Sequence, residues 1–299
     1  MNMAGTLILN RKRRQVLGRI CIYLLVLIVL AIVLLPFLWM VSGSFKTSLE
    51  IQGADVMDPE KSPQWFPRTF TLKNYIEANN TVRIFDYFKN SLIISIGTMI
   101  SGVFLSVMAA YALSRYAFRG RGIYTMGLLM TQMFPGVLFL IPYFVLFVWV
   151  KNLTGIPLRD TYWGMILTYT SFALPFSVLM LRNYLESIPR EIDEQAALDG
   201  CTPWGTLFRI ILPLSKPGLA AVGIYCFIMA WNEVLFASVL TGQNTKTVSI
   251  GLLEYITTQQ ARWAQMMAAC VIVSIPVLIL FTLMQKQIVD GLVAGATKG

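Results

Sequence analysis

The chain has 299 residues, of which 56% are hydrophobic and only 13% charged, and its formal charge is +9 at neutral pH. A soluble domain averages roughly 25% charged residues, so lipid must cover what water cannot, and an ordinary soluble globule is excluded. The positive charge does not signal nucleic acid, because Lys and Arg gather at the ends of apolar runs, where orientation signals of membrane proteins lie.

Six runs reach the roughly 20 apolar residues that a bilayer core requires of a helix. They fall near residues 19–41, 90–114, 123–150, 161–182, 214–240 and 266–286. The expected fold is all-α: a polytopic membrane protein of six transmembrane helices, with a tail at 1–18 and a membrane domain over 19–299. The first run follows Arg11-Lys12-Arg13-Arg14, is too long for a signal-peptide core and lacks a small-residue cleavage site, so it reads as an anchor. The long loop 42–89 carries Pro63, Trp65, Pro67 and Tyr75, which suggests a folded cap rather than a linker. In span two, Gly97, Ser101, Gly102 and Ser106 allow close helix approach. Spans three to six contain Pro135, Pro142, Pro175, Pro217 and Pro276, which a packed bundle tolerates. Met126, Met130 and Met133 read as packing; Gln132, Thr168 and Tyr169 are weaker pore-lining candidates, since polar residues in spans are as often interhelical glue.

Arg11, Lys12, Arg13, Arg14 and Arg19 in the tail, with Arg115, Arg119 and Arg121 after span two, place both termini and the even-numbered loops in the cytoplasm. The absence of His removes the commonest general base and the commonest metal ligand. Cys21, Cys201, Cys226 and Cys270 have no metal-like spacing, and three lie in apolar runs as small core hydrophobes. We expect no metal, no disulfide framework and no enzymatic activity. Nor is an internal repeat visible that would argue for an inverted-repeat carrier.

The loop 183–213 is the polar exception. Pro189 fits a helix start, Glu191, Asp193 and Glu194 suit its positive dipole end, and Gly200 can end it in a left-handed cap. Thr202-Pro203 reads as the N-cap and first residue of a second helix. Trp204, Leu207, Phe208 and Ile211 fall at i, i+3, i+4 and i+7 as an apolar stripe, and Ile188, Ile192 and Ala196 are expected along one exposed side. Either the loop packs on the inner face of the bundle, or it is a knob on which a partner docks.

Its residues resemble the EAA motif of permeases in ATP-binding-cassette importers. Glu194-Gln195-Ala196, three residues, Gly200, nine residues and Ile210-Ile211-Leu212-Pro213 meet the spacing of that pattern, with Gln195 in place of the first Ala. The likeness extends through Leu198-Asp199-Gly200-Cys201-Thr202-Pro203-Trp204, Trp231-Asn232-Glu233, Phe45-Lys46-Thr47, Thr71-Leu72-Lys73-Asn74-Tyr75 and the tail Gly291–Gly299. These segments are similar to carbohydrate permeases, the group that includes the smaller permease subunit of the maltose importer. The resemblance implies a type I importer permease fold in a bacterial or archaeal cell membrane. It implies a cytoplasmic coupling helix through which Glu191, Ile192, Glu194, Gln195, Ala196, Ala197, Leu198, Asp199, Gly200 and Trp204 meet an ATPase. The C-terminal tail, 287–299, would reach the same partner through Gly295 and Lys298. Implied partners are a second, non-identical permease, two copies of a P-loop ATPase that hydrolyses ATP with Mg, and an extracytoplasmic solute-binding protein. The external stretch 241–265, with Glu254, Tyr255 and Arg262, would touch that binding protein.

No Gly-x-x-x-x-Gly-Lys-Ser/Thr loop occurs in the chain, so it binds no nucleotide of its own by that route. An ion-driven carrier buries several ionisable groups along its path, whereas only Glu233 sits well inside a predicted span, roughly 25 Å from Lys216. An autonomous secondary carrier is therefore the less favoured alternative. Trp231, Asn232 and Glu233 either line the translocation path or, in the plainer reading, Glu233 bonds its neighbours and holds the bundle together.

Overall fold

The computed structural model describes residues 3–52, 65–257 and 261–296. The chain is all-α, and it divides into two units, residues 1–78 with 259–271 and residues 79–258 with 272–299.

The first unit holds α1 (Met3–Ser44), α2 (Ser48–Gln52) and the start of α3 (Lys73–Val82). From Val16 to Phe37 the side chains of α1 are exposed along the whole helix, as expected of a segment that lipid surrounds on every face. Just beyond α1, two motifs that stand far apart in sequence meet. Phe45 stacks on Phe70 at 4.7 Å between ring centroids, and the Thr71 amide donates to the Phe45 carbonyl at 3.0 Å. The Asn74 amide donates to the Ser44 and Lys46 carbonyls at 2.8 and 2.7 Å. Thr47 and Glu50 cap α2 reciprocally, the arrangement of a capping box. The described parts of the long loop 42–89 are thus folded against each other.

The second unit is organised on α4 (Ile84–Arg115), which packs chiefly on α7 (Tyr162–Glu186) and α11 (Lys216–Trp231). Close approach depends on small residues. A Cβ on Gly97 would meet Ile166 at 2.5 Å, and one on Gly102 would meet the Cys226 sulfur at 2.7 Å. Ser101 and Thr170 share a hydrogen bond at 2.7 Å beside them. Among the described residues, five helical segments are long and apolar enough to cross a bilayer: Val16–Ser44, Ile84–Arg115, Gly136–Thr154, Tyr162–Glu186 and Trp263–Lys286. The sixth span is α11, whose 16 residues rise about 24 Å, short of the roughly 30 Å core. After a break at 232–234 the chain resumes as α12 (Leu235–Leu240). Pro203–Leu214 meets α11 at 81° and so lies across the span rather than within it.

Two of the predicted spans are interrupted. The run 123–150 is α5 (Arg121–Met133), an extended step at Phe134-Pro135, a 3-10 turn at Gly136–Phe139 and α6 (Leu140–Thr154). The run 214–240 breaks at 232–234 between α11 and α12. Met126, Met130 and Met133 are 57, 47 and 81% exposed, not packed as expected. Thr168 and Tyr169 are fully buried rather than facing a pore: Thr168 donates to the Gly164 carbonyl of its own helix, and Tyr169 to Glu233. Of the cysteines, Cys226 is buried whereas Cys21 is exposed, and all four are free.

At one end of this unit Asp160, with φ of 58°, clasps the loop after α12. Its carboxylate accepts from the amides of Gly242, Asn244 and Thr245, and from the Thr245 hydroxyl at 2.7 Å. Asn90 joins the same loop by donating to the Asn244 and Lys246 carbonyls, both at 3.0 Å. Burial raises the Asp160 carboxyl, but the four hydrogen bonds outweigh it and hold the group below the usual carboxylate range. A depressed folded pKa stabilises above the unfolded value, roughly 3.9, and that stabilisation is lost as pH falls through the folded value. We therefore expect the thermal midpoint in detergent to drop between pH 7 and pH 3, and to drop less in Asp160→Asn, as a scan of both proteins across that range will show. Nearby, Glu254 pairs with Lys246, and Tyr255 is fully buried, which removes it from the surface expected to meet a binding protein.

Candidate functional site

At the other end of the second unit the chain leaves α7 and forms α8 (Glu191–Leu198) and α9 (Pro203–Thr206). Glu191, Asp193 and Glu194 occupy the first turn of α8, where the helix dipole favours anions. Gly200, with φ of 82°, ends it. The Cys201 amide donates to Ala196 at 2.9 Å and the Gly200 amide to Ala197 at 3.1 Å, the paired bonds of a Schellman cap. Thr202 then caps α9 by accepting from the Gly205 amide at 3.2 Å, with Pro203 at the first helical position. A π turn over Leu207–Ile211 and the short α10 (Leu212–Leu214) lead into α11. The result is a two-helix foot with a Gly corner.

The foot is bolted to the bundle. Arg115, at the end of α4, lies 3.1 Å from Asp193 of α8, with side chains only 6% and 20% exposed. The pair is a close charge contact rather than an aligned hydrogen bond. Arg115 also donates to the Ile188 carbonyl at 3.3 Å, and Arg190 returns a bond to the Ser114 carbonyl at 3.1 Å. Ile188 and Ile192 pack on the core formed by Val107, Tyr111, Leu181, Leu185, Leu207 and Ile211, and Ala196 is 3% exposed. The side expected to face outward therefore faces in, because burying it provides the foot's apolar anchorage. At the same end Arg121 and Arg182 both pair with Glu186, at 3.0 and 2.9 Å, tying α5 to α7.

The predicted stripe divides. Leu207 and Ile211 are buried, whereas Trp204 and Phe208 are 62% and 50% exposed and stack on each other. Leu198 is 88% exposed, and Glu191, Glu194, Gln195, Ala197, Asp199 and Gly200 are exposed with it. Large apolar side chains left in water beside charged ones mark a contact surface. In the tail, Gly295 belongs to the last turn of the final helix, Trp263–Ala296; Lys298 lies outside the described residues.

The second predicted group sits at the break in span five. Trp231 is 2% exposed, stacked on Phe227 and edge-on to Phe88. Asn232 is exposed. Glu233 accepts from the amides of Phe236 and Ala237 at 2.9 and 3.0 Å and from the Tyr169 hydroxyl at 2.8 Å. It caps α12 and ties that helix to α7. Removing an N-terminal cap costs about 1–2 kcal/mol, so Glu233→Ala should unfold at a lower temperature than wild type, with Glu233→Gln between them. Equal midpoints for all three proteins count against the cap. Sequence reasoning missed the bolt: Arg115 and Arg121 read only as orientation signals and Asp193 only as a dipole partner, since nothing local joins Arg115 to a residue so far along the chain.

An all-α polytopic membrane protein with a rigid, partly apolar foot at one end of its bundle has the form of a membrane subunit built to engage another protein. Residues 102–293 match the model of the binding-protein-dependent transport system inner membrane component, and the chain belongs to that family. It is a transport permease component of a membrane, not an enzyme. The chain is 37% identical over 290 residues to the inner membrane ABC transporter permease protein YcjP of Escherichia coli, covering 96% of this chain and 99% of that one. It is 35% identical over 291 residues to the trehalose/maltose transport system permease protein MalG of Thermococcus litoralis, with 96% and 99% covered. A solved bacterial ABC transporter involved in the import of the acidic polysaccharide alginate contains a chain similar at a TM-score of 0.74 and 22% identity, covering 92% of this chain and 97% of that one. The fold is that of type I importer permeases.

Proposed function

We propose that the chain is one permease half of an ATP-driven carbohydrate importer, with both termini and the foot in the cytoplasm. A second, non-identical permease completes the pathway, two copies of a P-loop ATPase hydrolyse ATP with Mg, and an extracytoplasmic solute-binding protein delivers the sugar. The carbohydrate class rests on relatives such as the trehalose/maltose permease.

The observation that carries this reading is the foot itself, fastened to α4 through Arg115 and Arg190 yet presenting Leu198 and Trp204 to solvent. A segment so fixed at its root transmits a push, and one so exposed at its tip has a partner to receive it from. Closure of the ATPase dimer moves α8, and the bolt passes the motion to α4 and the span-four and span-five helices. Coupling of this kind requires that the foot bind the two ATPase states with different affinity, since equal contact transmits nothing. Leu198→Cys in the assembled complex is expected to cross-link to the ATPase with a short bifunctional reagent. Cross-links to the solute-binding protein instead would put the foot on the wrong side and end the proposal.

A further inference from the structure

A groove of about 570 Å³ lies along α4 and α11 in the second unit, and Phe208, Leu212 and Met284 complete its walls. It exists because α11 offers no bulk there. Ala220 and Gly223, three residues apart, share one helix face, and a Cβ on Gly223 would stand only 3.6 Å from Met99. The rest of the lining is large and apolar, with Ile100, Phe104 and Phe208 exposed by 62, 58 and 50%. Lys216 is the one charged residue in it. An exposed apolar surface of this kind marks a contact with protein or with lipid.

Length and charge decide between the two. Along α4 the lining runs from Met99 to Met108, about 14 Å of helix. Along α11 it runs from Lys216 to Gly223, about 10 Å. Both stretches occupy the half of their helix nearer the foot. A partner's transmembrane helix needs a seat along most of the roughly 30 Å core, whereas a seat of about 14 Å matches the hydrocarbon depth of one leaflet. That is the reach of a lipid tail. Lys216 stands at the foot end of the groove and is exposed, at the level where headgroups of that leaflet lie. Arg209 follows Phe208 in the chain and Lys286 lies two residues beyond Met284, and both are exposed as well. Among the described residues neither Lys216 nor Arg209 pairs with a carboxylate. Basic side chains at a helix end keep their heads at the interface while their stems cover apolar surface, and there they attract anionic headgroups.

We propose that the groove holds one acyl chain of an anionic phospholipid from the leaflet on the foot's side, with the lipid phosphate on Lys216. The site is independent of which solute is carried. A lipid lodged there touches α4, α11 and the end of the foot together, so the composition of that leaflet bears on how firmly the foot is anchored. The test uses the assembled complex in nanodiscs, with Phe104→Cys carrying a fluorophore on the groove wall and Cys21, Cys201 and Cys270 replaced by Ser. Phosphatidylglycerol with brominated chains is expected to quench the label at about one-fifth of the mole fraction that brominated phosphatidylcholine requires, the preference that one basic residue confers near an anionic headgroup. Lys216→Ala should remove that preference and Lys216→Arg should keep it. Equal quenching by the two lipids with Lys216 in place overturns the proposal, as does a preference that survives Lys216→Ala. A label that neither lipid quenches means that protein fills the groove, which overturns it too. If Phe104→Cys does not assemble, Ile100→Cys carries the label. Failure of both to hold the sister permease means that a protein contact occupies this face, and the lipid is again excluded.

Discussion

Gly200→Asp is expected to abolish ATP-driven uptake while the chain still inserts and still holds its sister permease. A Cβ at this position meets nothing within 4 Å inside the chain. The left-handed φ of 82° is one that Asp tolerates better than most residues, at roughly 1 kcal/mol. The chain itself therefore accommodates the substitution. On the proposed docking the partner does not, because a charged side chain at the corner of the foot would stand between the two surfaces that meet. Disrupting a central interface position costs about 2 kcal/mol or more, roughly thirtyfold in affinity. Co-purification of the ATPase with the membrane subunits provides the readout: wild type should retain it and Gly200→Asp should lose it. A mutant complex that keeps its ATPase and transports normally removes Gly200 from the contact.

Arg115→Met separates docking from transmission. The substitution keeps most of the apolar volume at the end of α4, but leaves Asp193, 20% exposed, without its cation and the Ile188 carbonyl without its donor. Removing one partner of a buried pair costs about 3–5 kcal/mol, less where water reaches the remaining charge, as it reaches Asp193. The exposed surface of α8 proposed to dock the ATPase is untouched, so the complex should assemble and hydrolyse ATP. The anchorage is weakened, so sugar moved per ATP hydrolysed should fall about tenfold, a loss of some 1.4 kcal/mol in coupling. Arg115→Asp with Asp193→Arg should recover part of that ratio. An undiminished ratio in Arg115→Met means that motion reaches the bundle by another route.

The sequence shows the features that depend on near neighbours and hides those that do not. Gly200, Thr202 and Pro203 announce their caps because a helix end is set by residues a few positions apart, and the structure places each as expected. The six-span pattern is visible because about 20 apolar residues in a row have few other uses. Hydropathy averages over that length, however, and passes over the breaks at Phe134-Pro135 and 232–234. Pro135 alone did not reveal the first, since Pro175 and Pro276 lie inside unbroken helices. Facing was also hidden. Trp204, Leu207, Phe208 and Ile211 span an arc of about 100° on a helix, and the boundary of the core runs through the middle of it, leaving half the stripe in solvent. Glu233 is conspicuous in an apolar run, yet only the backbone turn into α12 shows that its carboxylate is occupied by Phe236, Ala237 and Tyr169.

On the proposed function, this polypeptide moves sugar only when a nucleotide-hydrolysing partner pushes residues 190–204. Proteoliposomes holding this chain and its sister permease, loaded with and without the ATPase and ATP, measure that dependence with radiolabelled maltose and trehalose. Accumulation should require both the ATPase and ATP, and should vanish when either is left out. Uphill accumulation by the two permeases alone, driven by an ion gradient, would contradict it.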